Sequence, residues 1–421
     1  MALLFLCLIF GTGRTQKIEA AVQNVSESLE EESRLDTVGT DQETERAAVR
    51  EKKGQQEKEA GDTETDQAAA AQDELLAELD FDAIQQEVDS LLSSQQFSFA
   101  GTVRSLLQDG DPFRTFRAGN AVLSCAKTAF LAQKGLMKEL FLLVLAGAVL
   151  GSFSSLFEGK QVRDASFYMV YLLALALILK NFQSSGENLK AVITSLVAFM
   201  RILTPSYYLA AAAAGGASSA VMFYQMLLLV ILAVEKLLLA LVLPMIHIYL
   251  LIALVNDLSG EEILSHMTEL LETCVNGLLK SSLGVLVGMQ MIRNLIAPAL
   301  DSLRQMALWR TAGMIPGIGN AVNAVTELVA GSAVLIRNCF GVTAMLVLLA
   351  AGMVPAVQLL VSGLSFRLLA AAAQPVSDKR IAGCLAAAGK GYAMLLRLLL
   401  TVEVLFLLTI AILAGTFSDK L

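Results

Sequence analysis

Residues 341–363 run for 23 positions without one charged side chain. A helix of that length is about 34 Å long and crosses the roughly 30 Å hydrocarbon core of a bilayer. Comparable apolar runs lie at 141–157, 165–179 and 218–256, the last broken by Glu235-Lys236 and Pro244. In lipid, backbone N–H and C=O groups must be paired within the chain, which restricts such runs to helices or closed barrels. Their length and continuity fit helices. The expected fold is all-α: a polytopic helical membrane protein with a disordered acidic N-terminal segment and interrupted or re-entrant helices. Composition agrees, with 55% hydrophobic residues and a mean hydropathy of +0.62, a level soluble domains of this size do not reach.

Four segments follow in order. Residues 2–10 form a short apolar run that suits a secretory signal core, and 1–20 is read as a signal peptide, although no Lys or Arg precedes Arg14. Residues 21–72 lack aromatic side chains and cannot bury enough apolar area to offset ordering entropy, so they read as a disordered acidic linker. Residues 21–80 hold 18 Asp or Glu against 6 Lys or Arg, which leaves the remainder mildly basic within a net charge of −8. No basic patch with interleaved aromatics suggests nucleic acid. In 73–136, Leu75, Leu79, Ile84, Val88 and Leu91 recur at helical spacing. Phe97, Phe99, Phe113 and Phe116 follow, with cations between them. This segment reads as a small helical extramembrane region on the membrane surface. Residues 137–421 form the polytopic domain, with the lipid bilayer as its first partner.

Within that domain, a turn is expected at Gly215-Gly216. Another is preferred at Glu235-Lys236, the alternative being one long helix kinked at Pro244. Ser259-Gly260-Glu261-Glu262 reads as a capping box for an interfacial helix that feeds a span over 278–296. Pro355 should kink the span over 341–363, Pro375 falls in the polar break 374–380, and the last span covers 391–416. Arg397 and Glu403 in that span are six positions apart, on different faces, and do not pair. Gly147 with Gly151, and Gly284 with Gly288, have the small-xxx-small spacing that lets helices approach closely.

The stretch 309–341 differs from its surroundings. Pro316, Gly317 and Gly319 interrupt the backbone, and a helical pattern begins after them. Asn320, Asn323, Glu327, Gly331 and Asn338 then fall in a sector of about 90° on an otherwise apolar helix. A carboxylate in lipid must face protein or water. The stripe either glues helices together or lines a path, and Arg293, Arg337 and Arg397 are the candidate partners of Glu327.

No chemistry of catalysis stands out. The five cysteines are far apart, and no phosphate loop, dinucleotide fingerprint or metal-ligand spacing occurs. His247 is alone in an apolar run and reads as a packed or hydrogen-bonded histidine. No enzyme activity, cofactor, metal or catalytic residue is expected.

From about residue 280 to 416 the chain resembles the stage III sporulation protein AE family of endospore-forming bacteria. The resemblance rests on Gly288-Met289-Gln290, on Ala297-Pro298-Ala299-Leu300-Asp301 and on Ile315-Pro316-Gly317-Ile318-Gly319. Gly331-Ser332, Gly341, Pro355 and Gln374-Pro375 with Asp378 and Arg380-Ile381 extend it. It implies a channel-like, secretion-related apparatus between mother cell and forespore, in the membrane surrounding the forespore. The implied partners are other stage III sporulation membrane proteins and an associated ATPase. The resemblance implies no catalytic residue. The alternative is a stand-alone secondary transporter with a broken-helix polar site near 315–338.

A signal peptide places residues 21–135 outside the cytoplasm. An alkaline phosphatase fused at residue 60 is therefore expected to be active and a green fluorescent protein fused there dark. The reverse pattern would overturn this topology.

Overall fold

Apolar stretches that the sequence separates are joined into single long helices. The computed structural model describes residues 81–92, 97–109, 118–154, 160–213, 218–259, 264–312, 319–375 and 377–415. The expected signal peptide, the acidic linker and the Pro316-Gly317 break lie outside them. The described helices are α1 (Phe81–Leu91), α2 (Phe99–Asp109), α3 (Ala118–Ser154), α4 (Lys160–Ala213), α5 (Ser218–Leu237), α6 (Leu243–Ser259), α7 (Ser265–Ala312), α8 (Gly319–Ala373) and α9 (Lys379–Gly415). No strand occurs among the described residues. Tyr168–Tyr207, Leu228–Ser259, Ser265–Met289, Gly331–Ala373 and Lys379–Ala411 are long and apolar enough to cross a membrane. The chain is a multi-pass helical membrane protein.

Several expected boundaries move. The runs before and after 180–190 form one helix, α4, because Ile178, Phe182, Leu189, Ile193, Leu196 and Met200 keep one buried face across the polar segment. The turn preferred at Glu235-Lys236 is absent. The helix continues through it, and α5 joins α6 by a π-helical turn, Leu238–Val242, directly before Pro244. The Leu243 N–H bonds to the Leu238 carbonyl, five residues back. That wider turn accommodates a proline that has no N–H and would crowd the carbonyl four residues earlier. Ser259 ends α6 rather than capping the next helix, and its hydroxyl donates to the Asn256 carbonyl at 2.9 Å. The Asn256 side-chain oxygen accepts the Leu264 N–H at 2.8 Å, at the entry to α7. The interfacial helix and the following span are both part of α7, which continues through Pro298 to Ala312. The boundary expected at 136/137 falls inside α3.

The helices α8 and α9 form the most extensive contact, antiparallel across the turn at 374–378. Asp378 caps α9, accepting the Arg380 N–H at 3.1 Å. α3 and α4 also pack on α8, and α6 packs on α9. α1 and α2 are seated on this bundle, on α4 and α8. Ile84, Val88, Phe99 and Val103 are fully buried there. Gln85 ties the two helices together, donating to the Phe97 carbonyl at 2.7 Å and accepting the Phe99 N–H at 2.8 Å. The rings of Phe81, Phe99 and Tyr207 surround Phe340 of α8 at 6.1, 4.9 and 6.2 Å.

The small-residue spacing on α7 does not mark its contact face. A Cβ on Gly284 or Gly288 would have no atom within 4 Å, whereas Leu286 between them is fully buried. Val275, Leu279, Ser282 and Leu286 make the packed stripe, and the two glycines lie off it. Gly147 does sit at a contact, where a Cβ would be 3.1 Å from Val170 Cγ1 of α4. Leu286→Ala is therefore expected to destabilise by about 2–5 kcal/mol and to lower the amount of protein in membranes. Gly288→Leu should leave that amount near the native level; immunoblots of membrane fractions distinguish the two.

Candidate functional site

A polar seam runs through the apolar bundle where α4, α6, α8 and α9 meet. The Tyr392 hydroxyl of α9 accepts from Asn181 Nδ2 at 2.6 Å and lies 3.3 Å from Ser185 Oγ, both on α4. Its ring stacks on Phe366 of α8 and meets Phe182 of α4 edge-on, at 5.3 and 5.2 Å. Phe182 in turn contacts His247 of α6 at 5.2 Å. The His247 Nδ1 is 2.8 Å from the Leu243 carbonyl, which makes it the packed, hydrogen-bonded histidine that its surroundings in the sequence suggest. Gly186 of α4 gives the ring its room, since a Cβ there would lie 2.6 Å from two ring atoms.

The same device recurs toward both ends. At one end, the Asp257 carboxylate of α6 lies 3.1 Å from where a Gly383 Cβ would be, and Tyr171 donates to the Leu254 carbonyl at 2.6 Å. Further along α9, the Glu403 carboxyl occupies the space that a Cβ on Gly352 of α8 would need. Glu403 is only 7% exposed. Arg397 turns to α7 and donates to Asn276 Oδ1 at 3.1 Å, so the two charges of this span stay apart, as their spacing requires. Arg337 of α8 is fully buried and donates to Asn338 Oδ1 at 3.4 Å. Among the described residues no group of three or more His, Cys, Asp or Glu could hold a metal ion.

Of the candidate site residues singled out in the sequence, those whose side chains are described do not contribute a polar group to this seam. Gly319, Asn320, Asn323 and Glu327 lie in the first turns of α8, and Gln290, Pro298 and Asp301 lie in α7. Those side chains, like the surroundings of Gly151 in α3, fall outside what is described. Gly331 is exposed, with no atom within 4 Å of a would-be Cβ, and Asn338 is half-buried. Gly331 thus faces away from the core, whereas Asn338 lies at its margin beside the buried Arg337. Pro355 is half-buried inside α8, and Pro375 is exposed in the turn before α9. Asn181, Gly186, Gly352 and Tyr392 were not legible as site residues: each partner lies on a distant helix, and no local spacing connects them.

The outer surface is divided. Ile248, Leu251 and Val255 of α6, and Leu360, Leu364 and Leu368 of α8, are exposed apolar side chains. On α4, Lys180, Gln183, Glu187, Lys190 and Thr194 are exposed along one face, with Gln183 donating to Glu187 at 3.2 Å.

The family model described as stage III sporulation protein AE matches residues 97–416. A relative of that name from Bacillus subtilis (strain 168) is 22% identical over 291 residues, covering 68% of this chain and 73% of the relative. No solved structure matches the chain.

The Gly186–His247 contact has a testable consequence. Gly186→Ala should lower the thermal midpoint of the detergent-purified protein, by a loss of about 1–3 kcal/mol from overpacking. Adding His247→Ala should recover part of that loss, because the clashing ring is gone. Additive losses in the double variant would show that the ring and the added methyl do not compete for space.

Proposed function

Because the chain belongs to the stage III sporulation protein AE family, we propose that it is a non-enzymatic membrane component of the channel-like apparatus between mother cell and forespore. It works in the mother-cell-derived membrane around the forespore, with other stage III sporulation membrane proteins and an associated ATPase, and forespore development requires it.

The charged face of α4 carries the reading that this chain acts within an assembly. Lys180, Glu187 and Lys190 project outward near the middle of the candidate span Tyr168–Tyr207. Leaving them in lipid would cost about 2.5–3.5 kcal/mol for each charge near the bilayer centre. The apolar faces of α6 and α8 carry no such cost. A chain that offers lipid one side and keeps charges on another fits a subunit whose α4 face meets partner proteins or water. The non-enzymatic reading draws support from His247, which is engaged with a helix carbonyl, and from Cys339 and Cys384, which are buried in packing. The stand-alone transporter draws none from Gly331, which faces outward.

The combined substitution Lys180→Leu, Glu187→Leu and Lys190→Leu tests this. The variant should reach membranes at native levels, yet lose co-purification with other stage III sporulation membrane proteins and arrest forespore development. Paired apolar exchanges at Ile248 and Leu251 serve as the lipid-face control and should change neither. Normal partner recovery and normal spores from the triple variant would remove α4 as the assembly face.

A further inference from the structure

The outer face of α4 carries a pattern that specifies more than a polar neighbour. Ala176, Lys180, Ser184, Glu187, Ala191 and Thr194 are all exposed. At about 100° per residue they fall within about 80° of the helix circumference. The stripe they form is about 27 Å long, close to the thickness of a hydrocarbon core. Ala176, Ser184 and Ala191 are small enough for another backbone to lie close against α4. Lys190, also exposed, flanks the stripe.

α4 does little to neutralise its own lysines. Residues 165–186 include no Asp or Glu, so Lys180 has no carboxylate on α4 within a turn on either side. Glu187, three residues before Lys190, accepts instead from the Gln183 amide at 3.2 Å. Among the described residues neither the Lys180 nor the Lys190 ammonium has an ion pair or a hydrogen bond. Arg201, further along the same face, differs, because it lies close enough to Glu235 of α5 for the two charges to interact. Two cations are therefore left over, about 15 Å apart along the helix.

A second copy of this chain does not suit them. Copies in one membrane share an orientation, so α4 against α4 would set each lysine at the level of its own equivalent, with like charges opposed. Carboxylates at the same two levels do suit them. Resting on the reading that α4 meets a partner, we propose that this partner is a membrane-spanning helix of a different protein. It lies along Ala176, Ser184 and Ala191 and carries two acidic side chains about ten residues apart, one paired with Lys180 and the other with Lys190. Charge pairs held out of water in this way select which helix binds and fix its register.

A membrane-permeant carbodiimide tests the pairing, because it joins an amine only to a carboxyl in contact with it. Membranes from sporulating cells should yield products joining Lys180 and Lys190 to Asp or Glu of one other membrane protein, at positions about ten residues apart. Lys180→Arg combined with Lys190→Arg should abolish these products, since a guanidinium is not acylated, while recovery of stage III sporulation membrane proteins stays native. Lys180→Glu combined with Lys190→Glu should lower that recovery about tenfold or more at native protein levels. Several results would overturn the pairing while leaving α4 as an assembly face: no product at either lysine, a product joining two copies of this chain, or both lysines labelled in the complex by a water-soluble amine reagent. Partner recovery unchanged by the double Glu exchange would overturn it too. If that variant does not accumulate, products that persist in the double Arg variant do so instead. A native chain that recovers no partner defeats the assembly reading itself.

Discussion

The approach of α8 to α9 sets the geometry of everything around it. A Cβ on Gly389 would lie 3.3 Å from the Gly363 carbonyl oxygen, and one on Gly363 would lie 3.6 Å from that of Gly389. The two backbones therefore approach closely, with Arg367 and Tyr392 packed beside the contact. In lipid no hydrophobic force drives helices together, and close van der Waals contact with shared polar groups has to do so. That contact brings Tyr392 against Gly363, with a would-be Cβ 3.2 Å from the tyrosine Cβ, and so fixes where the ring can meet Phe366, Phe182 and Asn181.

A common pattern emerges from the interior polar groups. His247 lodges on Gly186, Asp257 on Gly383 and Glu403 on Gly352, each a polar head of one helix set against a glycine of another. Without a Cβ, the glycine lets a bulky or hydrophilic group reach the neighbouring backbone while the helices stay close. Each pair also specifies register. Sliding one helix by a residue would drive the polar head into a side chain and strand it away from its notch.

Much of this class of fold was legible, and the reasons for the exceptions are local. The charge-free run at 341–363 required a helix in lipid, and a helix is what forms. The polar segment at 180–190 concealed the continuity of α4 because its charges all lie outside, while Phe182 and Leu189 carry the packed face through it. The run 218–256 was compatible with a turn at Glu235-Lys236 or with one long helix kinked at Pro244, and the helix continues through Glu235-Lys236 into a π-helical turn before the proline. The glycine spacing at 284 and 288 resembled a packing motif, yet which face of α7 packs was set by Leu279 and Leu286. For the stripe at 320–338 the period was readable, but its direction was not: a polar sector looks the same whether it points inward or outward. Glu403 was visible as a charge in an apolar span, whereas its seat on Gly352 belongs to a helix that only the tertiary fold brings alongside.

Helix length carries the last step. α4 and α8 have 54 and 55 residues and are each about 80 Å long, well over twice a bilayer core. A membrane cannot cover the whole of either. On α4 the exposed charges of Lys180, Glu187 and Lys190 lie between two apolar ends, so lipid that covers both ends must also cover the charges. Covering only one end leaves the other outside the bilayer, with apolar side chains still on its surface. Either arrangement leaves a face of α4 that lipid does not satisfy. Met169, Leu172 and Leu173 at the N-terminal end are exposed and suited to lipid, whereas the segment beyond Lys180 buries Ile193, Leu196 and Met200 against the rest of the bundle. α4 thus carries two kinds of surface, an apolar one suited to lipid at Met169, Leu172 and Leu173, and a charged one from Lys180 onward that lipid does not satisfy.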